Sequence, residues 1–103
     1  MNEHPELEEL RTGIQRIDRE MAALFEQRMH IAEGIIRNKM EKGLPVLDAE
    51  REAKLLQTNL AHITDPVLKE YYVLFQKHLM DLSKSYQSRL REEADAAPTK
   101  GSE

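Results

Sequence analysis

Residues 7–36, LEELRTGIQRIDREMAALFEQRMHIAEGII, decide the fold. Apolar side chains recur at Leu7, Leu10, Ile14, Ile17, Met21, Leu24, Ile31 and Ile35 in alternating steps of three and four. That spacing keeps one face of a helix apolar and marks a seam along which helices pack. Arg28 fills the position that follows Leu24 in the series. Lys39 lies eleven residues further on, which at about 100° per residue returns it to nearly the same face. Arg11 flanks the seam near its start. A cation on a buried face is costly unless something negative meets it. The helix is therefore suited to hold an anion in the core of a bundle.

Outward from this stretch, the first helix is expected to begin at Pro5, whose missing N–H is not needed in a first turn, and to run to about Met40. Its length would be roughly 50 Å. Gly43 and Pro45 then interrupt the pattern. Asp48 has the character of an N-cap for a second helix, with Glu50 adding negative charge to its first turn. This helix turns Leu55, Leu56, Leu60 and Ile63 inward. Asp65-Pro66 reads as cap and first-turn proline of a third helix, with the stripe Leu68, Tyr72, Phe75, Leu79, Leu82, Tyr86 and Leu90. From Glu93 onward, EADAAPTKGSE is small, polar and aperiodic, so residues 1–92 are expected to form the helical domain and 93–103 a disordered tail. One long helix cannot be covered by two shorter ones. Self-association is the simplest remedy, and a symmetric dimer its commonest form.

Composition agrees. The chain has 103 residues, 40% hydrophobic, 5% aromatic and 33% charged, with four Gly and four Pro. That suits an all-α domain with a Leu, Ile and Met core and few turns. A net charge of −4 argues against a nucleic-acid binder. The absence of cysteine excludes disulfides and thiolate chemistry. No apolar run approaches the roughly 20 residues of a membrane span. The polar, acidic start, MNEHPELEEL, is unlike a secretory signal. The expectation is a cytoplasmic protein that contacts neither membrane nor nucleic acid.

Taken singly, the candidate residues have ordinary readings. Arg28 fits a core arginine paired with a glutamate, or a polar seam residue that fixes register. Lys39 fits a lysine at a helix C-terminus. Glu52 precedes Leu55 and Leu56 by three and four residues and so points to the inner face. A carboxylate there needs a donor, for which Arg28 or Lys39 is the candidate. Arg51 fits a solvated first-turn residue. Ser83 and Gln87, four apart, share the margin of the third stripe, where bundles tolerate such residues. The four histidines have no metal-ligand spacing, and no HExxH, phosphate loop or catalytic triad is present.

Taken together they form a pattern. Leu10-Arg11-x-x-Ile14-x-x-Ile17-Asp18, Glu26-Gln27-Arg28, Lys39, Asp48-x-x-Arg51-Glu52 and Ser83-x-x-x-Gln87 resemble the all-helical class of chorismate mutases over about residues 7–90. The resemblance implies an intertwined homodimer of three-helix protomers with two active sites. It also implies the rearrangement of chorismate to prephenate, on the route to phenylalanine and tyrosine, with no metal and no cofactor. By the same resemblance, Arg28, Arg51 and Ser83 hold a substrate carboxylate. Lys39 and Gln87 point at the ether oxygen, and Glu52 with the backbone near Asp48 takes the ring hydroxyl. Arg11 binds a carboxylate too. It lies seventeen residues from Arg28, about 25 Å along a straight helix, so it is expected to serve the partner subunit's site. Ser85 competes with Ser83, and the four-residue step to Gln87 favours Ser83. The alternatives are an isochorismate pyruvate-lyase on the same fold, which the Asp48, Arg51 and Glu52 set disfavours, and a non-catalytic helical dimer or regulatory module. The last gives no reason for Arg28, Lys39, Glu52 and Gln87 to converge.

Overall fold

The computed structural model describes residues 3–96. They form three α-helices, α1 (Pro5–Lys42), α2 (Ala49–Leu60) and α3 (Lys69–Ala96), and no strand occurs among the described residues. By its internal contacts the chain divides into two units that part between Ile31 and Ala32, within α1.

The ends of the helices follow from local chemistry. Pro5 occupies the first turn of α1, Glu6 and Glu8 add negative charge beside it, and Lys39 and Lys42 lie in the last turn. Both charges oppose the helix dipole favourably. Gly43 stops the helix at φ +68, a left-handed conformation that costs glycine nothing. The Gly43 N–H then donates to the Met40 carbonyl at 3.3 Å and the Leu44 N–H to the Lys39 carbonyl at 2.8 Å. These two bonds satisfy carbonyls that would otherwise lack partners at the helix end. Asp48 caps α2 by accepting from the Arg51 N–H at 3.1 Å.

The third helix starts differently from the sequence expectation. Asp65 accepts from the Val67 N–H at 3.0 Å, which tightens Pro66–Leu68 into a 3₁₀ turn, and the α-helix begins at Lys69. Such turns are frequent at helix N-termini. At its other end α3 continues to Ala96, so Glu93–Ala96 are helical. The residues there are mostly good helix formers, and Arg89 pairs with Glu93 one turn on at 2.9 Å. Residues 97–103 of the expected tail lie outside the described residues.

The first unit is the N-terminal part of α1. Its seam is uncovered: Leu10, Ile14 and Leu24 are 70%, 59% and 60% exposed. In the second unit α2 packs on α3, and Leu55, Leu56, Leu60 and Ile63 are each half-buried. The buried centre of α3 is Gln76, Met80, Ser83 and Gln87, while Leu68, Phe75 and Leu82 of the expected stripe are exposed. Tyr72, Leu79, Tyr86 and Leu90 flank the buried line and are half-buried. The inward face is thus rotated by about one residue. Apolar periodicity missed the rotation because the middle of this face carries amides and a hydroxyl.

Candidate active site

Several polar side chains on the second unit's inner face are held by specific bonds. On α1, Lys39 donates from Nζ to the Val46 carbonyl at 2.8 Å and is half-buried. Its own carbonyl accepts from Leu44. Both ends of one residue therefore tie the linker 43–48 back onto the helix, and the ammonium stays near the start of α2. There, Asp48 is an exposed cap whose carboxylate is engaged by the backbone of Arg51. Arg51 itself is exposed, and Glu52 is half-buried on the first turn.

Helix α3 carries a run of polar groups that meets Glu52 of α2 and Ala32 of α1. Gln87, 6% exposed, donates from Nε2 to the Ala32 carbonyl of α1 at 2.9 Å. A carboxamide nitrogen has two N–H groups, so this bond fixes the amide plane and leaves one donor to aim elsewhere. Ala32 precedes Lys39 by seven residues, two turns along the same face. Ser83 is buried and donates from Oγ to the Leu79 carbonyl one turn back at 3.1 Å. To donate to a ligand instead, its hydroxyl must rotate away from that carbonyl.

The donor that Glu52 meets is neither Arg28 nor Lys39. Lys84 Nζ donates to Glu52 Oε1 at 3.1 Å and lies 3.4 Å from Asp81. The hydrogen bond to Glu52 raises the Lys84 ammonium above the ordinary lysine value. Partial burial opposes the rise, and Asp81 adds to it. Sequence reasoning missed Lys84 because a lysine beside an apolar stripe reads as solvated. The signal available was its place between Ser83 and Gln87, with a half-inward acid on another helix. Gln76 was missed as well. It accepts from the Tyr72 hydroxyl at 3.0 Å, and its Nε2 is enclosed without a hydrogen-bond partner.

The structure therefore pairs Glu52 of α2 with Lys84, which lies between Ser83 and Gln87 on α3, and ties Gln87 to the face of α1 that carries Lys39. Arg11 and Arg28 belong to the first unit. Arg11 is exposed and pairs with Glu8 at 2.9 Å, a surface contact worth at most about 1 kcal/mol and readily exchanged for a ligand. Arg28 is half-buried. Among the described residues no group of three or more histidines and acids is placed to hold a metal ion, and no helix is long and apolar enough to cross a membrane.

Such groups can bind and polarise a ligand: they offer an ammonium, a fixed amide and a carboxylate. A neutral amide and a lysine suit a reaction in which negative charge gathers on an oxygen within a held molecule. No curated protein and no solved structure matches the chain. The sequence model of one family, described as chorismate mutase type II, matches residues 10–88. That span takes in every site residue expected from the sequence, from Arg11 to Gln87. By this match over most of a chain whose described residues form helices and no strand, the protein belongs to the chorismate mutase type II family.

Proposed function

We propose that this isomerase rearranges chorismate to prephenate at two sites of a homodimer, each completed by Arg11 of the other chain. In the reaction an ether C–O bond breaks and a C–C bond forms within one molecule, so no proton, electron or group leaves. Two effects accelerate it. The flexible substrate must be held in its compact reactive shape. The ether oxygen gathers negative charge, which fixed donors stabilise more in the transition state than in the ground state.

In this reading Gln87 and Lys39 serve the ether oxygen. Arg28, Arg51 and Ser83 hold a carboxylate, and Arg11 of the partner holds one as well. Glu52 and the backbone beside Asp48 accept the ring hydroxyl. The observation that carries it is the Gln87 amide, buried and fixed by one N–H to the Ala32 carbonyl. A buried amide that spends one donor on a helix carbonyl has its other donor set in direction before substrate arrives. The dimer is supported by the uncovered seam of the first unit. A cytoplasmic place in phenylalanine and tyrosine biosynthesis completes the proposal.

The test follows the loss of chorismate absorbance and identifies the product. Prephenate as the product supports the reading. Pyruvate release from isochorismate, with chorismate untouched, identifies a lyase on this fold. Inertness toward both leaves the non-catalytic dimer.

A further inference from the structure

We infer that Lys84 is a positioning residue that holds the Glu52 carboxylate in place for substrate. The inference rests on the site assigned above and adds a residue to it. The ion pairs Arg11–Glu8, Arg37–Glu33 and Arg89–Glu93 each stay within one helix, whereas Lys84–Glu52 spans from α3 to α2. It is also better sheltered. The Lys84 and Glu52 side chains are 32% and 24% exposed, against 62% and 49% for Arg11 and Glu8. A pair partly removed from water is screened less than one on the open surface.

The chemistry is specific. A glutamate side chain has three torsions, and an unpaired one must give up that freedom when it accepts a ligand. Lys84 engages Oε1 alone, and the second carboxylate oxygen remains to accept a hydroxyl. Asp81, 3.4 Å from the same ammonium, holds Lys84 from its own helix. Lys84 follows Ser83 directly and precedes Gln87 by three residues. The pair therefore fixes the first turn of α2 against the segment of α3 that carries both.

A double-mutant cycle on the full-length protein tests this, with kcat and KM for chorismate measured for Lys84→Met, Glu52→Gln and the double variant. Lys84→Met keeps most of the aliphatic stem and removes the charge. It should lower kcat/KM about three- to tenfold, mostly through KM, and Lys84→Arg should restore most of the loss. In the Glu52→Gln background the same change should cost less than about twofold, because the group it positions is gone. Equal losses in both backgrounds overturn the inference, since Lys84 would then act on substrate directly or through the fold. An unchanged Lys84→Met enzyme overturns it too. Should Lys84→Met fail to fold, Lys84→Gln enters the same cycle. A parent protein that leaves chorismate intact overturns the site assignment and this inference together; an active parent confines any failure to Lys84.

Discussion

Arg11 and Arg28 lie on one helical segment, seventeen residues apart. That is about 25 Å along the axis, beyond the span of one small ligand. If both bind carboxylates of chorismate, they do so in different sites. Arg11→Ala and Arg28→Ala, made in separate chains, should each abolish most activity, because every homodimer site then lacks one clamp. A hydrogen bond to a charged group is worth about 1.5–3 kcal/mol, so each homodimer should keep on the order of 1–10% of the parent kcat/KM. The two variants are then unfolded, mixed in equal amounts and refolded. Random pairing makes about half of the dimers mixed. In each mixed dimer one site draws Arg28 and the partner's Arg11 from unaltered positions, and the other site lacks both. About a quarter of all sites are thus restored, and activity should rise to about a quarter of the parent value. The assay is chorismate consumption at subsaturating substrate, with mixed dimers counted by native mass spectrometry. Were both arginines to serve the site of their own chain, no mixed site would be complete. Activity that stays at the homodimer level, with mixed dimers present, refutes the shared site and the role given to Arg11.

Lys39→Ala should lower kcat by about 10²–10³ with a smaller effect on KM, since in the proposed reading the ammonium acts where charge develops; a folded variant within about threefold of the parent would remove Lys39 from the chemistry. Gln87→Glu should move activity toward acid. A glutamic acid donates only when protonated, with an ordinary pKa of about 4.3, and burial beside the Ala32 carbonyl pushes that value up; an unaltered pH profile with the new carboxylate ionised would exclude Gln87 from the site. Gly43→Ala should destabilise by about 1–2 kcal/mol through its positive φ. No heavy atom lies within 4 Å of where its Cβ would sit, so denaturant midpoints no lower than the parent's would contradict the strain argument. The Lys84 pair raises the ammonium's folded-state pKa, so its stabilisation is fully present below the ordinary lysine value of about 10.4 and fades as pH rises through the folded value. The difference in urea midpoint between parent and Lys84→Met should therefore hold through neutral pH and close in strong alkali; a difference that persists there would mean that something other than charge supports it.

Helix ends were legible in the sequence where one residue type does one physical job. Pro5 can only start a helix, Gly43 readily takes a positive φ, and Asp48 offers an oxygen to exposed N–H groups. These are short-range effects that need no knowledge of packing. The inward face of α3 was less legible. Hydrophobicity placed it on Leu68, Phe75 and Leu82, and the structure places it on Gln76, Met80, Ser83 and Gln87. A site that binds a polar molecule must bury polar groups, so the rule that apolar means inside fails there first. Glu52 shows the other limit. Its need for a cation follows from its direction on α2, but the choice of Lys84 depends on how α2 and α3 lie against each other, which the 3₁₀ turn at Pro66–Leu68 helps to set.

The protomer buries little apolar surface and exposes much. Among the described residues its buried apolar side chains are Ala32, Ile36 and Met80, against the buried polar Gln76, Ser83 and Gln87, while the seam from Leu7 to Ile31 faces solvent. Polar burial costs free energy even when hydrogen bonds are made. The unpartnered Gln76 Nε2 alone costs about 1–3 kcal/mol. Covering a seam residue such as Leu10 or Ile14 returns about 1.5–3 kcal/mol each. The stabilising apolar surface and the destabilising polar surface thus lie on different stretches of the chain. A second copy would present a matching seam by symmetry, and covering the α1 seam would offset the polar burial along α3. Association would then do two jobs at once. In the proposed dimer it would supply the apolar burial that the polar line on α3 forgoes, and it would bring Arg11 to the partner's site, about 25 Å from its own Arg28. Folding energy and catalytic geometry would then be one coupled quantity, dependent on protein concentration.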